Sequence, residues 1–238
     1  MAGRTGTRLR RVLNLYLGLL LFGGGLGLMF QAELGLNPWD VLHQGLAGST
    51  GLPLAWVVIG VSTIVLALWI PLRQRPGFGT VHNVLLIGPI MATVIEWVPA
   101  PEQLPVRVGF LLAGLVINAV GTAMYLGAGL GPGPRDGLMT GLAARGVPVR
   151  RARTLIEVAA LAVGWSLGGT VGVGTVVFAL AIGPLVHFFV PRLRVPPATP
   201  APNPAPERTP SRLPGWLTRG TVGEPSGPVR HAPAGEPV

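Results

Sequence analysis

A chain of 238 residues that is 49% apolar and only 11% charged falls far below the roughly one quarter of charged residues usual in soluble domains, which excludes an ordinary globular core. The absence of cysteine excludes disulfides, thiolate metal sites and thiol nucleophiles. The net charge of +9 comes from arginine without any lysine, and its placement decides its meaning.

Apolar runs of about 18 to 25 residues recur, the length that crosses ~30 Å of hydrocarbon. In chain order the predicted spans are 9–31, 54–70, 81–98, 106–126, 155–167 and 173–190. The fifth is the weakest, because Glu157 sits near its start and Gly168-Gly169 follows its end. Arg4 and Arg8 precede the first span and Arg10 and Arg11 lie at its very start, Arg73 and Arg75 follow the second, and Arg135, Arg145, Arg150, Arg151 and Arg153 lie between the fourth and fifth. Arg192 and Arg194 follow the sixth. The alternate connections hold Arg107 with Asp40, Glu96 and Glu102. The positive-inside rule then puts both termini in the cytoplasm. Arginines at membrane edges favour anionic lipid over nucleic acid as the partner of the positive charge. The basic start followed by an apolar stretch is shaped like a signal peptide, yet it is long and has no small-x-small cleavage site, so a retained first span is expected.

The membrane part occurs twice. Leu34-Gly35-Leu36-Asn37-Pro38-Trp39-Asp40-Val41-Leu42 and Leu130-Gly131-Pro132-Gly133-Pro134-Arg135-Asp136-Gly137-Leu138 share Leu, Gly, Pro, Asp and Leu at a spacing of 96 residues. Gly18 and Gly25 match Gly114 and Gly121; after a one-residue slip, Gly79-Thr80-Val81 matches Gly174-Thr175-Val176 and Ile87-Gly88-Pro89 matches Ile182-Gly183-Pro184. Three spans per copy is an odd number, so the second copy must enter the membrane upside down. The expected architecture is an all-α membrane protein of six transmembrane helices in two inverted three-helix repeats, each with a short half-helix after its first span. Its parts are a basic cytoplasmic N-terminus (1–8), a first repeat (9–98), a second repeat (106–190) and a disordered Pro/Arg-rich cytoplasmic tail (191–238).

The run from Gly35 to Ala47, with Pro38-Trp39-Asp40 and His43-Gln44-Gly45, together with Ile87-Gly88-Pro89, resembles the YczE/YyaS/YitT group of bacterial integral membrane proteins over about residues 10 to 191. The resemblance implies a multi-pass protein of the bacterial cytoplasmic membrane and no defined activity. The second copy departs from it, with Arg135 in place of the tryptophan and Met139-Thr140 in place of His-Gln.

The motifs also read physically. Asn37 suits a helix cap, Pro38 the first turn, and Asp40 the positive end of the helix dipole three residues on; Gly133-Pro134-Arg135-Asp136 repeats the arrangement with a weaker cap. Each motif is followed by about ten residues before a glycine, a helix of roughly 15 Å that cannot span. Such helices either lie flat at the interface or re-enter the membrane from opposite faces with their N-termini open to a ligand. Duplication favours the embedded form. The candidate substrate-binding residues are Asn37, Asp40, His43, Arg135 and Asp136. Asp40 and His43, three apart on a helix, offer two metal ligands or a proton relay, but local hydrogen bonding explains them more simply, and no metal or other cofactor is expected. Trp39, Trp56, Trp69 and Trp97 fall near span ends as an aromatic belt would; His82 and Asn83 read as contacts opening the third span, and Glu157 as a partner of Arg153 four residues earlier. Gly23 with Gly27 and Gly164 with Gly168 form small-residue faces for intrachain packing.

No nucleophile dyad, paired carboxylates or phosphate loop is present, so no enzyme is expected. Three functions are weighed: a small-molecule transporter or exporter, a non-transporting membrane factor that assists or regulates another membrane or biosynthetic system, and, last in order, an intramembrane enzyme.

Overall fold

The computed structural model describes residues 2–196, with side chains from residue 7 on; the tail expected at 191–238 lies almost wholly outside the described residues. Within them every regular element is an α-helix: α1 (Ala2–Gln31), α2 (Pro38–Thr50), α3 (Leu54–Ala67), α4 (Trp69–Leu72), α5 (Phe78–Trp97), α6 (Leu104–Gly127), α7 (Pro134–Ala143), α8 (Val149–Ser166) and α9 (Val173–Leu193). Five stretches are long and apolar enough to cross a membrane: Thr7–Gln31, Leu54–Leu72 (α3 with α4), Phe78–Trp97, Leu104–Gly127 and Val173–Leu193. The predicted fifth span is α8. It begins at Val149, six positions before the expected start at 155, and so takes in Arg150, Arg151 and Arg153 as well as Glu157; four charges in one helix fall short of a purely apolar span.

The centre of the fold is an antiparallel pair of long helices, α1 and α6, which share the largest interface among the described helices. Glycine brings them together. A methyl group at Gly18 would fall 2.9 Å from the Gly121 carbonyl oxygen, and one at Gly25 would fall 2.6 Å from that of Gly114. Helix partners fall in number along α6 as they rise along α1, which fixes the antiparallel sense. Without a hydrophobic effect to drive helices together in lipid, such close backbone approach is the main source of attraction. Gly23 and Gly27 use the same device on α5, against Ile90 and Val94, as the small-residue spacing implied. Helix α5 packs on α1 and α3, and α9 packs on α6.

Three buried clusters fill the gaps. Leu15, Leu19 and Leu26 meet Val58, Ile87 and Met91; Met29, Leu111, Leu115 and Ala119 meet Ile182 of α9; and Trp39, Val65, Trp69, Leu138 and Ala160 join the short helices to α3, α4 and α8. Leu13, Leu17 and Leu20 of α1, Leu85 of α5, Leu112 of α6 and Leu180 of α9 remain exposed, a surface suited to lipid rather than water.

The two loops that lead into α2 and α7 are built alike. Gly35 and Gly131 take the left-handed φ values of 111° and 126°, which side chains resist, and each lies hard against another glycine: Gly35 on Gly172, Gly131 on Gly77. Each loop hands a carbonyl to the start of a long helix of the other half. Gly174 N–H donates to the Leu34 oxygen at 2.7 Å, and Gly79 N–H donates to that of Leu130 at 2.8 Å. At one end of the bundle Arg107 clamps the α1 terminus, donating to the Ala32 and Glu33 carbonyls at 2.8 and 2.7 Å and pairing with the Glu33 carboxylate at 3.2 Å.

Candidate functional site

Helix α2 starts where the motif places it. The Asn37 side-chain oxygen accepts from the backbone N–H of Trp39 and of Asp40, both at 3.1 Å, while its amide donates to one Asp40 oxygen. The other Asp40 oxygen meets His43 Nδ1 at 3.0 Å. The other ring nitrogen of His43, Nε2, is buried and has no partner among the described residues. All three side chains are at most 2% exposed. The first residues of α2, Pro38 to Val41, are enclosed by protein, and α2 packs on α8 and α3. It runs for 13 residues to Gly51, about 20 Å. That is longer than the expected 15 Å, because Gly45 and Gly48 stay within the helix.

Helix α7, of 10 residues, has no side-chain cap. Gly133 stands where Asn37 stands in the first copy, so the first-turn N–H groups are not closed off by the chain's own side chain. Asp136 accepts a hydrogen bond from the Tyr125 hydroxyl at 2.5 Å. Arg135 lays its guanidinium over the Trp39 ring, 4.6 Å from the centroid, which joins the two motifs across the middle of the molecule. It forms no ion pair with a described carboxylate. Trp69 holds α7 in place: its indole N–H donates to the Pro134 carbonyl at 2.9 Å, and its ring fills the space that any side chain at Gly137 would need. Thr80 adds a bond to the Pro132 carbonyl at 2.7 Å.

Between the two helix starts lies a cavity of about 450 Å³, within the range of roughly 300–1,000 Å³ typical of ligand pockets. Asn37, Pro38 and Trp39 line it from one motif, and Gly133, Pro134, Arg135 and Asp136 from the other. Of the five candidate residues, Asn37, Arg135 and Asp136 therefore reach the cavity. Asp40 and His43 do not line it; they form the buried network that holds Asn37 and the start of α2. The sequence reading missed Asn83, Asn118, Tyr125 and Thr122, whose polar groups also line the cavity. Asn118 was detectable as a lone amide within an apolar span; it donates to the Phe22 carbonyl at 3.2 Å, the residue that matches it at the 96-residue spacing. Asn83, read as an interfacial contact, is 8% exposed and belongs to this lining. Trp56 and Trp97 are exposed, as a belt requires, whereas Trp39 and Trp69 are 8% and 2% exposed and do not belong to one; those two are held by Arg135 and Pro134.

Arg153 and Glu157 of α8 and Ile182, Gly183, Val186 and His187 of α9 also line the cavity, and the two helices have no interface comparable to that of α3 with α5. Arg153 Nε donates to Glu157 at 2.9 Å, the pairing read from their spacing.

Residues 9–191 match the family described as "Family of unknown function (DUF6198)". The chain belongs to that family. An "Uncharacterized protein" of Haemophilus influenzae is 39% identical over 173 residues, which cover 72% of this chain and 79% of the relative. The "Uncharacterized membrane protein YczE" of Bacillus subtilis is 31% identical over 180 residues, 74% of this chain and 84% of its own. The "Uncharacterized protein YyaS" of the same species is 28% identical over 191 residues, 74% and 90% of the two chains. No solved structure matches the chain. The Pro38-Trp39-Asp40 resemblance thus leads to a YczE/YyaS-type family, and with five apolar helices the chain is a multi-pass membrane protein.

Proposed function

We propose that the protein is a small-molecule transporter of the bacterial cytoplasmic membrane, built from two inverted repeats of three membrane-crossing helices, with α2 and α7 as re-entrant half-helices and both termini in the cytoplasm. It is not an enzyme in this reading, and anionic lipid contacts its arginine-rich inner edge. Several observations support the inversion. The pairs Gly18 with Gly121 and Gly25 with Gly114 exchange into one another when each residue is replaced by its counterpart 96 positions away, and so, with the one-residue slip that puts Gly79 and Gly174 95 apart, do the bonds Gly174 to Leu34 and Gly79 to Leu130. Equivalent helices packed antiparallel are what an axis in the membrane plane produces.

The observation that carries transport is the unequal closure of the two halves. Helix α5 is packed on α3, so that a methyl group at Gly88 would fall 2.6 Å from the Ala55 carbonyl; the matching Gly183 of α9 has nothing within 4 Å and faces the cavity. In inverted-repeat transporters a site between the halves is reached from one membrane face at a time, and exchange of the two repeat conformations moves the opening to the other face. Here the gap lies between α8 and α9, toward the cytoplasm in the arginine-derived topology.

Because the chain has no cysteine, Ser62→Cys on the cavity lining gives a single reporter thiol. A transporter exposes it to an impermeant maleimide from the cytoplasmic face in inverted vesicles and, more slowly, from outside in intact cells. A non-transporting factor with a fixed cavity gives labelling from one face only, and that result overturns the proposal.

A further inference from the structure

The cavity carries charges of both signs that do not meet. Arg135 stacks on Trp39 and makes neither an ion pair nor a hydrogen bond to any described residue, while the stacked geometry leaves the edge N–H groups of its guanidinium free. Asp136, the next residue on α7, projects in another direction. One of its oxygens accepts from Tyr125; the other accepts from no described donor. Asp40, the other carboxylate near Arg135, has both oxygens occupied by Asn37 and His43, and it lies behind the lining. Arg153 and Glu157 neutralise each other at the edge of the cavity.

The sum of these charges limits what can enter. On the lining Asp136 is set against Arg135 and Glu157 against Arg153, so its charged side chains sum to zero; Asp40, behind it, meets the dipole of α2. A ligand with a single net charge would leave that charge uncompensated in a partly desolvated space, which is unfavourable. An entirely apolar ligand would instead strip water from Arg135 and Asp136 without replacing its hydrogen bonds. A ligand that carries both signs and no net charge avoids both costs. Part of the remaining wall is apolar: Phe22 and Leu26 of α1, with Phe178, Ile182 and Val186 of α9.

We propose that the cavity binds a zwitterion with an apolar body, of the α-amino-acid kind. Its anionic group meets Arg135 and the uncapped first turn of α7, its ammonium group meets Asp136, and its side chain lies along α9. This assignment rests on the transport reading above, and it adds the substrate class.

The test uses the full chain, purified and reconstituted, with leucine, leucine methyl ester and N-acetylleucine as probes, the last two lacking the anionic and the cationic group respectively. Binding is measured by titration calorimetry. Leucine is expected to bind at least tenfold more tightly than either blocked analogue. Arg135→Gln is expected to weaken leucine and N-acetylleucine while leaving the ester unchanged, and Asp136→Asn to weaken leucine and the ester while leaving N-acetylleucine unchanged. A merely structural role for either side chain would lower all three affinities together, and that result overturns the assignment. So does an analogue that binds wild-type protein as tightly as leucine. Should none of the three bind while Ser62→Cys is still labelled from both faces, the zwitterion is refuted and transport stands; labelling from one face alone removes the transport reading itself.

Discussion

Gly88 and Gly183 occupy the same place in the two Ile-Gly-Pro repeats, yet their surroundings differ, and this allows a matched pair of substitutions. A methyl group at Gly88 would lie 2.6 Å from the Ala55 carbonyl oxygen and 3.2 Å from Val58 Cβ. The first contact is with backbone, so α3 and α5 must separate to admit it. Overpacking of this kind costs about 1–3 kcal/mol. At Gly183 the same methyl meets nothing within 4 Å, and there is no such cost in the present conformation. The gain in helix propensity from glycine to alanine, up to about 1 kcal/mol, applies to both sites and cancels in the comparison. If the halves exchange conformations, Gly183 becomes the crowded glycine in the other state. Gly88→Ala then favours the outward-open state and Gly183→Ala the inward-open one, because a perturbation shifts an equilibrium by its differential effect on the two states. A difference of 1–3 kcal/mol is a factor of about 5–150. With Ser62→Cys as reporter, Gly88→Ala should raise the ratio of outside to inside labelling by that factor and Gly183→Ala should lower it. A ratio unchanged by both, with Gly88→Ala merely lowering the melting temperature, would describe a static scaffold and refute the reasoning.

Two further outcomes follow from the same frame. Single cysteines at Ser49 and Gln103 should be labelled by an impermeant reagent on intact cells and one at Ser211 should not, since the arginine-rich connections face inward; strong labelling at Ser211 would reverse the topology. Asp40→Asn should lower stability by about 1–3 kcal/mol, because it disturbs a buried network in which Asn37 and His43 lose a charged acceptor, whereas Asp136→Asn keeps an oxygen for Tyr125 and should change the melting temperature little. Equal effects of the two substitutions on melting of the purified protein would contradict the separation of network from lining.

Much of the fold was legible because membrane helices advertise themselves by length, and because a repeat repeats its punctuation. Gly35 and Gly131, Pro38 and Pro134, Asp40 and Asp136 mark equivalent turns and helix starts, and each is found at one. Legibility ended where sequence proximity ceased to indicate spatial contact. Asp40 and Asp136 were equal as letters; in space one is closed in by Asn37 and His43, and the other faces a cavity. Trp39 and Trp69 carry the composition of a belt, and only their cross-chain partners, Arg135 and the Pro134 carbonyl, reveal them as buried props. Asn83 and Asn118 sit in different repeats and converge on one cavity through the antiparallel packing of α1 and α6, a relation that no local window contains. The charged start of α8 blurred the fifth span for a related reason: Arg153 and Glu157 serve the edge of the cavity, so that helix answers to two environments.

The divergence of the two motifs bears on function beyond any single contact. A helix start that has only to be stable is well served by the first copy, where Asn37 caps the backbone and Asp40 meets the dipole, all of it internally satisfied. The second copy gives up the cap by placing Gly133 there and puts a guanidinium where the first copy has an indole. Arg135 is half-buried on the cavity lining; stacking on Trp39 stabilises it by about 0.5–2 kcal/mol and leaves its N–H groups to water in the cavity or to a ligand. Helix α7 is secured independently by Trp69 and Gly137, so its position does not depend on Arg135. What Arg135 adds is an unfilled set of donors at the centre of the molecule, on the side where α8 and α9 leave the way open.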